Sequence, residues 1–194
     1  MPKRNRFLKL LADRIVDNLL EKELVIADDP EEFKDKVYSI LYEDHRTEKE
    51  LEEEAERIIQ ENSEEVLYRG VSLTKARKLI KEKLAKERGI PVVGSPFSRE
   101  KANYLAGKIL RLILTDDSLD YTEDRGVIRA AIVRSFEEVA RLRREIDQKV
   151  REKIASHSKP IYEGTPEWIA LYRRYYNEEL LERGLVEPES ESEV

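Results

Sequence analysis

The chain has no cysteine, one tryptophan, and a single methionine at its first position. Without cysteine there is no disulfide framework, no thiol nucleophile, no cysteine-ligated zinc and no iron–sulfur cluster. That lack also fits a reducing cytoplasm, which is the expected location. Apolar runs extend only a few residues, so neither a membrane span nor a signal-peptide core is expected. Asparagine (five) and glutamine (two) are sparse too, and with the dense mixed charge this composition resembles that of thermophile proteins. Histidine occurs only at His45 and His157, and helical spacing gives the two no reason to meet. No Gly-rich phosphate loop, G-x-S-x-G elbow, Walker motif or Glu-x-x-His pair appears. No catalytic residue, metal site or cofactor is therefore assigned, and an enzymatic role is disfavoured.

What the chain does contain is helix-forming residues and charge. Charged residues make up 40% of the 194, and glycine and proline number only seven each. Leu, Ala, Glu, Lys and Arg dominate, which predicts an all-α protein. The net charge of −6 argues against nucleic acid as the default partner, although a sum can hide local patches. Residues 1–94 carry 19 cations and 22 acids, and residues 95–194 carry 17 and 20. The last eight, 187–194, hold four Glu and two Ser with nothing apolar to bury but the final Val194, and are expected to be disordered.

The two halves align when the chain is slid by 94 positions. Leu11, Ala12 and Ile15 then meet Leu105, Ala106 and Ile109, and Tyr68-x-Gly70 meets Tyr162-x-Gly164. A shift of one more brings Glu87-Arg88-Gly89 onto Glu182-Arg183-Gly184. Chance is a poor account of two such motifs recurring in order. The pattern predicts tandem repeats at 1–94 and 95–186, followed by the tail.

Each repeat reads as three helices. The first spans about 6–22, and its counterpart opens at Ser98 as N-cap. The second is long: Ile128, Ile132, Ser135, Val139, Leu142, Ile146, Val150 and Ile154 form a coiled-coil-like seam. From 127 to 157 it would extend roughly 45 Å, more than a small core needs, so part is expected to project as an arm. In repeat one, Asp44-His45-Arg46-Thr47 interrupts the equivalent stripe with polar groups. The third helix of repeat two is framed by Thr165, Pro166 and Gly184; that of repeat one starts at Ser72 or Thr74 and ends at Gly89. Strand candidates at 24–26 and 91–93 are too short to build a sheet.

Residues 98–185 resemble the bacterial family catalogued as domain of unknown function 507. The resemblance rests on Ser98-Arg99-Glu100-Lys101, the run 146–154, the Glu163-Gly164-Thr165-Pro166-Glu167-Trp168 entry, and Tyr172-Arg173-Arg174-Tyr175-Tyr176. Repeat one fits the same template more loosely, with Leu73 near the place of Trp168 and no tyrosine cluster. The resemblance implies a pseudo-twofold tandem arrangement, an antiparallel four-helix base carrying two projecting helical arms. It implies no activity and no site residue.

Two groups of side chains stand out as candidate sites. Tyr162, Trp168, Tyr172, Arg173 and Tyr176 could form a stacking platform for a nucleotide or other flat ligand. The competing reading, core packing of rings at helical spacing, is favoured. Lys75, Lys78 and Lys81 belong to a segment, 72–88, with seven cations against two acids. It could meet phosphates or an acidic protein. Pairing with the glutamates at 48–56 is the favoured alternative. The leading functional expectation is a non-enzymatic protein-interaction module. A small-molecule module comes second and nucleic-acid binding third, with no membrane role.

Overall fold

The computed structural model describes residues 5–94 and 97–185. The acidic tail lies outside the described residues. Apart from one short strand pair the protein is all helical, as its composition predicts. The elements run α1 (Arg6–Glu21), β1 (Val25–Ala27), α2 (Pro30–Glu61), α3 (Ser63–Tyr68), α4 (Leu73–Glu87), α5 (Arg99–Thr115), β2 (Leu119–Tyr121), α6 (Arg125–Ala155) and α7 (Pro166–Glu182).

Local chemistry sets the helix boundaries. Asn5 caps α1 through hydrogen bonds from the Phe7 and Leu8 amides, and Asp29, Ser72, Ser98, Asp124 and Thr165 cap the later long helices in the same way. The third helices end alike. Gly89 and Gly184 have φ of 66° and 65°, and the amides of Ile90 and Leu185 return to the carbonyls of Ala85 and Leu180. This αL turn satisfies carbonyls that a helix end would otherwise orphan.

One hydrophobic core draws on both halves of the chain. Leu11, Ile15 and Leu19 of α1 meet Phe33, Val37 and Leu41 of α2, Leu105, Ile109 and Ile113 of α5, and Ile128, Ile132 and Phe136 of α6. Only the first halves of α2 and α6 enter this core. At 1.5 Å per residue the 32 residues of α2 extend about 48 Å. Beyond Leu41 and Val139 the two helices continue as arms. Arm 1 is the end of α2 with α3 and α4; arm 2 is the end of α6 with α7.

Two features depart from the sequence reading. Segment 25–27 does form a strand, paired antiparallel with 119–121. Ile26 faces Asp120, 94 positions later, while Val25 faces Tyr121 and Ala27 faces Leu119. Val25 and Leu119 point into the core, so three residues suffice where a core wall lies behind them. Second, a short helix, α3, occupies residues 63–68 before Gly70. The long second helix of the first half is as expected: α2 runs unbroken through 44–47, where the apolar stripe is interrupted.

The buried positions of α2 (Phe33, Val37, Leu41, Leu51, Ala55, Ile59) each have a buried partner 95 positions later in α6 (Ile128, Ile132, Phe136, Ile146, Val150, Ile154). The change from 94 to 95 falls in the strand-to-helix loop, which is one residue longer before α6. On that side of the base, Lys36 bonds to Asp116 at 2.7 Å. The contact, with help from Glu32, pushes the Lys36 ammonium up to about 12. Lys36 and then Ser118 hold the Asp116 carboxyl down at about 2.

Candidate functional site: the two arms

Arm 2 is built from rings. Thr165 accepts from the Trp168 amide and Pro166 occupies the first turn, which fixes where α7 begins. Trp168 stacks on Tyr172 at 5.0 Å, Tyr172 on Tyr176 at 5.6 Å, and Tyr176 tilts against Phe7 at 5.8 Å. This ladder packs on Ile146, Val150, Ile154 and Leu180. The rings are half-buried rather than free. The Tyr172 hydroxyl donates to Asp147 at 2.5 Å, and the Arg151 guanidinium lies 5.2 Å from the Trp168 ring while bonding Asp147 and Glu163. Burial, reinforced by the Asp147 carboxylate, raises the Tyr172 phenol well above its ordinary range. Beneath the ladder sits Glu179, buried between Lys149 and Arg183. Burial opposes its charge, but the two cations outweigh that and hold its carboxyl below the usual value. His157 shares a 2.7 Å hydrogen bond with Tyr175, a contact that helical spacing alone did not reveal.

The predicted cluster therefore separates. Trp168, Tyr172 and Tyr176 form one stack. Tyr162 stands 73% exposed in the loop before α7, and Arg173 is exposed without an ion pair among the described residues.

Arm 1 is built from charge. Its interface buries Leu51, Ala55 and Ile59 of α2 but only Ala76 and Ala85 of α4. Ion pairs flank this thin seam: Arg77 with Glu56 at 2.6 Å, Lys81 with Glu52 at 2.8 Å, and Arg88 with Glu54. Of the three candidate lysines, Lys81 is thus engaged with the acidic helix beside it. Lys75 and Lys78 are exposed and have no ion pair among the described residues.

The roots of the arms differ as well. At arm 1, the Lys101 ammonium of α5 is buried and bonds Asp44 at 2.9 Å and Glu48 at 2.8 Å. Burial would lower its pKa, yet the two carboxylates win and raise it. The polar stretch of α2 is thus the receptor for a lysine from the other half, a role that α2's own sequence does not disclose. At arm 2 the Arg143 guanidinium lies between the rings of Phe7 (5.1 Å) and Phe97 (4.2 Å). Phe97 adopts a φ of 62°, a costly conformation for a bulky residue.

A cavity of about 300 Å³ opens at the root of arm 1, between Glu43, Thr47, Lys81, Val92, Tyr104 and Lys108. No group of three or more His, Asp or Glu among the described residues could hold a metal ion. No described helix is long and apolar enough to cross a membrane.

A shared helical core with two helical arms defines the class of protein. Within it, the chain belongs to the family described as protein of unknown function (DUF507), which it matches over residues 2–185. The match runs through both halves as one unit, wider than the 98–185 stretch on which the resemblance first rested. No curated protein matches the chain.

Proposed function

We propose that this is a non-enzymatic, cytoplasmic interaction protein whose arms present their outer faces to a protein partner. The observation that carries the reading is that each arm is covered on one side only. Leu67, Tyr68 and Leu79 on arm 1, and Tyr162, Ile169 and Leu181 on arm 2, remain 40–93% exposed. Large apolar side chains left exposed along such projections suit contact with apolar groups of a partner. We further read the chain as two diverged copies of one helical unit about a pseudo-twofold axis. The exchange of partners around Ile26 and Asp120 supports this, because a twofold axis through that pair would produce it. Affinity capture from source-cell lysate tests the interaction reading. Wild-type protein should retain a defined partner at several salt concentrations. A chain with Leu79→Ser, Ile169→Ser and Leu181→Ser should lose it. Capture of nothing, or equal capture by both, rejects the reading.

A second reading, a small-molecule module, is favoured by the 300 Å³ cavity, whose size meets the lower end for ligand pockets. Tyr104, with Lys108 4.8 Å from its ring centre, offers a face and a charge there. Thermal-shift screening of nucleotides and cofactors should then give a shift that Tyr104→Ala abolishes. The aromatic ladder of arm 2 is the competing site, and a shift abolished by Trp168→Ala would assign the ligand to it. No shift with any compound rejects this reading.

A further inference from the structure

We infer that the outer face of α4 is a docking surface for an acidic, amphipathic helix of a partner protein. The inference rests on the interaction reading above and names the surface and the chemistry of the partner.

The cations of α4 divide by face. Arg77, Lys81 and Arg88 turn toward α2 and meet Glu56, Glu52 and Glu54. Lys75 and Lys86 lie on the opposite, solvent-facing side and Lys78 at its edge, lining a groove beside Glu53 and Glu56; none of the three has an ion pair among the described residues. Lys83, on the same outer face, pairs with Glu87 at 3.9 Å. Helical spacing sets these lysines beside Leu79, which is 52% exposed. Lys75 lies in the first turn of α4, and that turn contains no acid. A cation there opposes the helix dipole, so the chain itself gives it no electrostatic support. An anion brought by a partner would.

Two features favour an acidic protein over nucleic acid. The exposed Leu79 beside the lysines suits an apolar side chain rather than a phosphate backbone. The whole molecule carries −6, which opposes a dense polyanion such as a duplex more than a short helix of a few glutamates. A helix with glutamates flanking a leucine stripe would pair its acids with Lys75, Lys78 and Lys86 and cover Leu79. Recognition of that kind is a helix laid along a complementary face.

The test uses the full chain and three labelled probes followed by fluorescence anisotropy. One is a synthetic helix of about four turns with glutamates beside a leucine stripe. The second is the same peptide with glutamine for every glutamate, and the third is a DNA duplex of similar charge. The acidic peptide should bind, the glutamine peptide should bind at least tenfold more weakly, and the duplex should also bind more weakly. A K75E/K78E/K86E variant should lose at least tenfold in affinity, and Leu79→Ser should lose severalfold. These side chains hold no ion pair, so circular dichroism should show both variants folded. Tighter binding of the duplex would make the face a phosphate surface and overturn the proposal. So would absence of binding, or equal binding by the triple variant. A lysate partner still captured by the triple variant would leave the general interaction reading standing and remove this surface from it.

Discussion

The two arms continue α2 and α6 beyond the shared core and differ in what holds them together. Arm 2 closes on Leu180, Val150 and a ladder of four rings reaching from Trp168 to Phe7. Arm 1 puts alanines at the matching places, Ala55 for Val150 and Ala85 for Leu180, and adds ion pairs at the rim. Burial of large side chains is worth kilocalories each, whereas an exposed ion pair contributes about 0–1 kcal/mol. The same helical plan can therefore yield a firm arm and a loose one. In the loose arm charge sits on both sides of α4, and the outer side is only partly matched within the chain, by Lys83 with Glu87.

The sharpest way to break this comparison is at the root of arm 1. Lys101→Ala leaves Asp44 and Glu48 facing each other without their buried cation, and should cost about 3–5 kcal/mol in urea unfolding. A loss below about 1 kcal/mol would mean that the carboxylates are hydrated and the root is not charge-built.

Next in size is Leu180→Ala at the base of the ladder, 4% exposed in the intact protein. It should cost about 2–4 kcal/mol through lost burial and a residual cavity. The mirrored change in arm 1, Ala85→Gly, should cost only about 1 kcal/mol, mostly in backbone entropy. Equal losses would erase the distinction between the arms.

Tyr172→Phe keeps the ring and removes the hydrogen bond to Asp147. A loss of about 1.5 kcal/mol near neutral pH is expected, read from the same denaturation curves. The pH dependence has a definite sign. The folded phenol is raised above its unfolded value near 10, so the folded state keeps a proton that the unfolded chain gives up. Its contribution is full below pH 10 and is lost as pH rises through the folded value. Wild type should therefore lose more stability above pH 10 than Tyr172→Phe does, and parallel profiles would contradict the environment described for this tyrosine.

Much of this plan was legible in the sequence. The caps Ser98 and Thr165, the stop glycines and the coiled-coil-like seam of α6 are local signals, and the helices follow them closely. Pairing of the third-helix cations with the glutamates of α2 was readable from complementary charge. The strand pair was not, because Val25 and Leu119 gain from a core wall that only the tertiary fold provides. Nor was the part played by Asp44 and Glu48. Read along α2 they interrupt an apolar stripe, and only the arrival of Lys101 from the other half gives them a partner. The split of the aromatic group has the same origin. Helical spacing places Trp168, Tyr172 and Tyr176 together, but Tyr162 precedes the helix and its position depends on the loop.

The smallest expected effect bears most directly on the central claim that apolar and ring packing dominates in arm 2, while in arm 1 a thin seam leaves more of the work to ion pairs. Amide hydrogen exchange can be followed in α4 and α7 at low salt and in about 1 M salt, where the screening length falls to about 3 Å. Screening should release Arg77, Lys81 and Arg88 from their glutamates, so exchange across α4 should speed up severalfold, while α7, whose own ion pairs at Lys149–Glu179 and Lys153–Glu178 lie beside a larger apolar seam, should change less. If both helices respond alike, or if α7 responds more, the arms are not built by different forces.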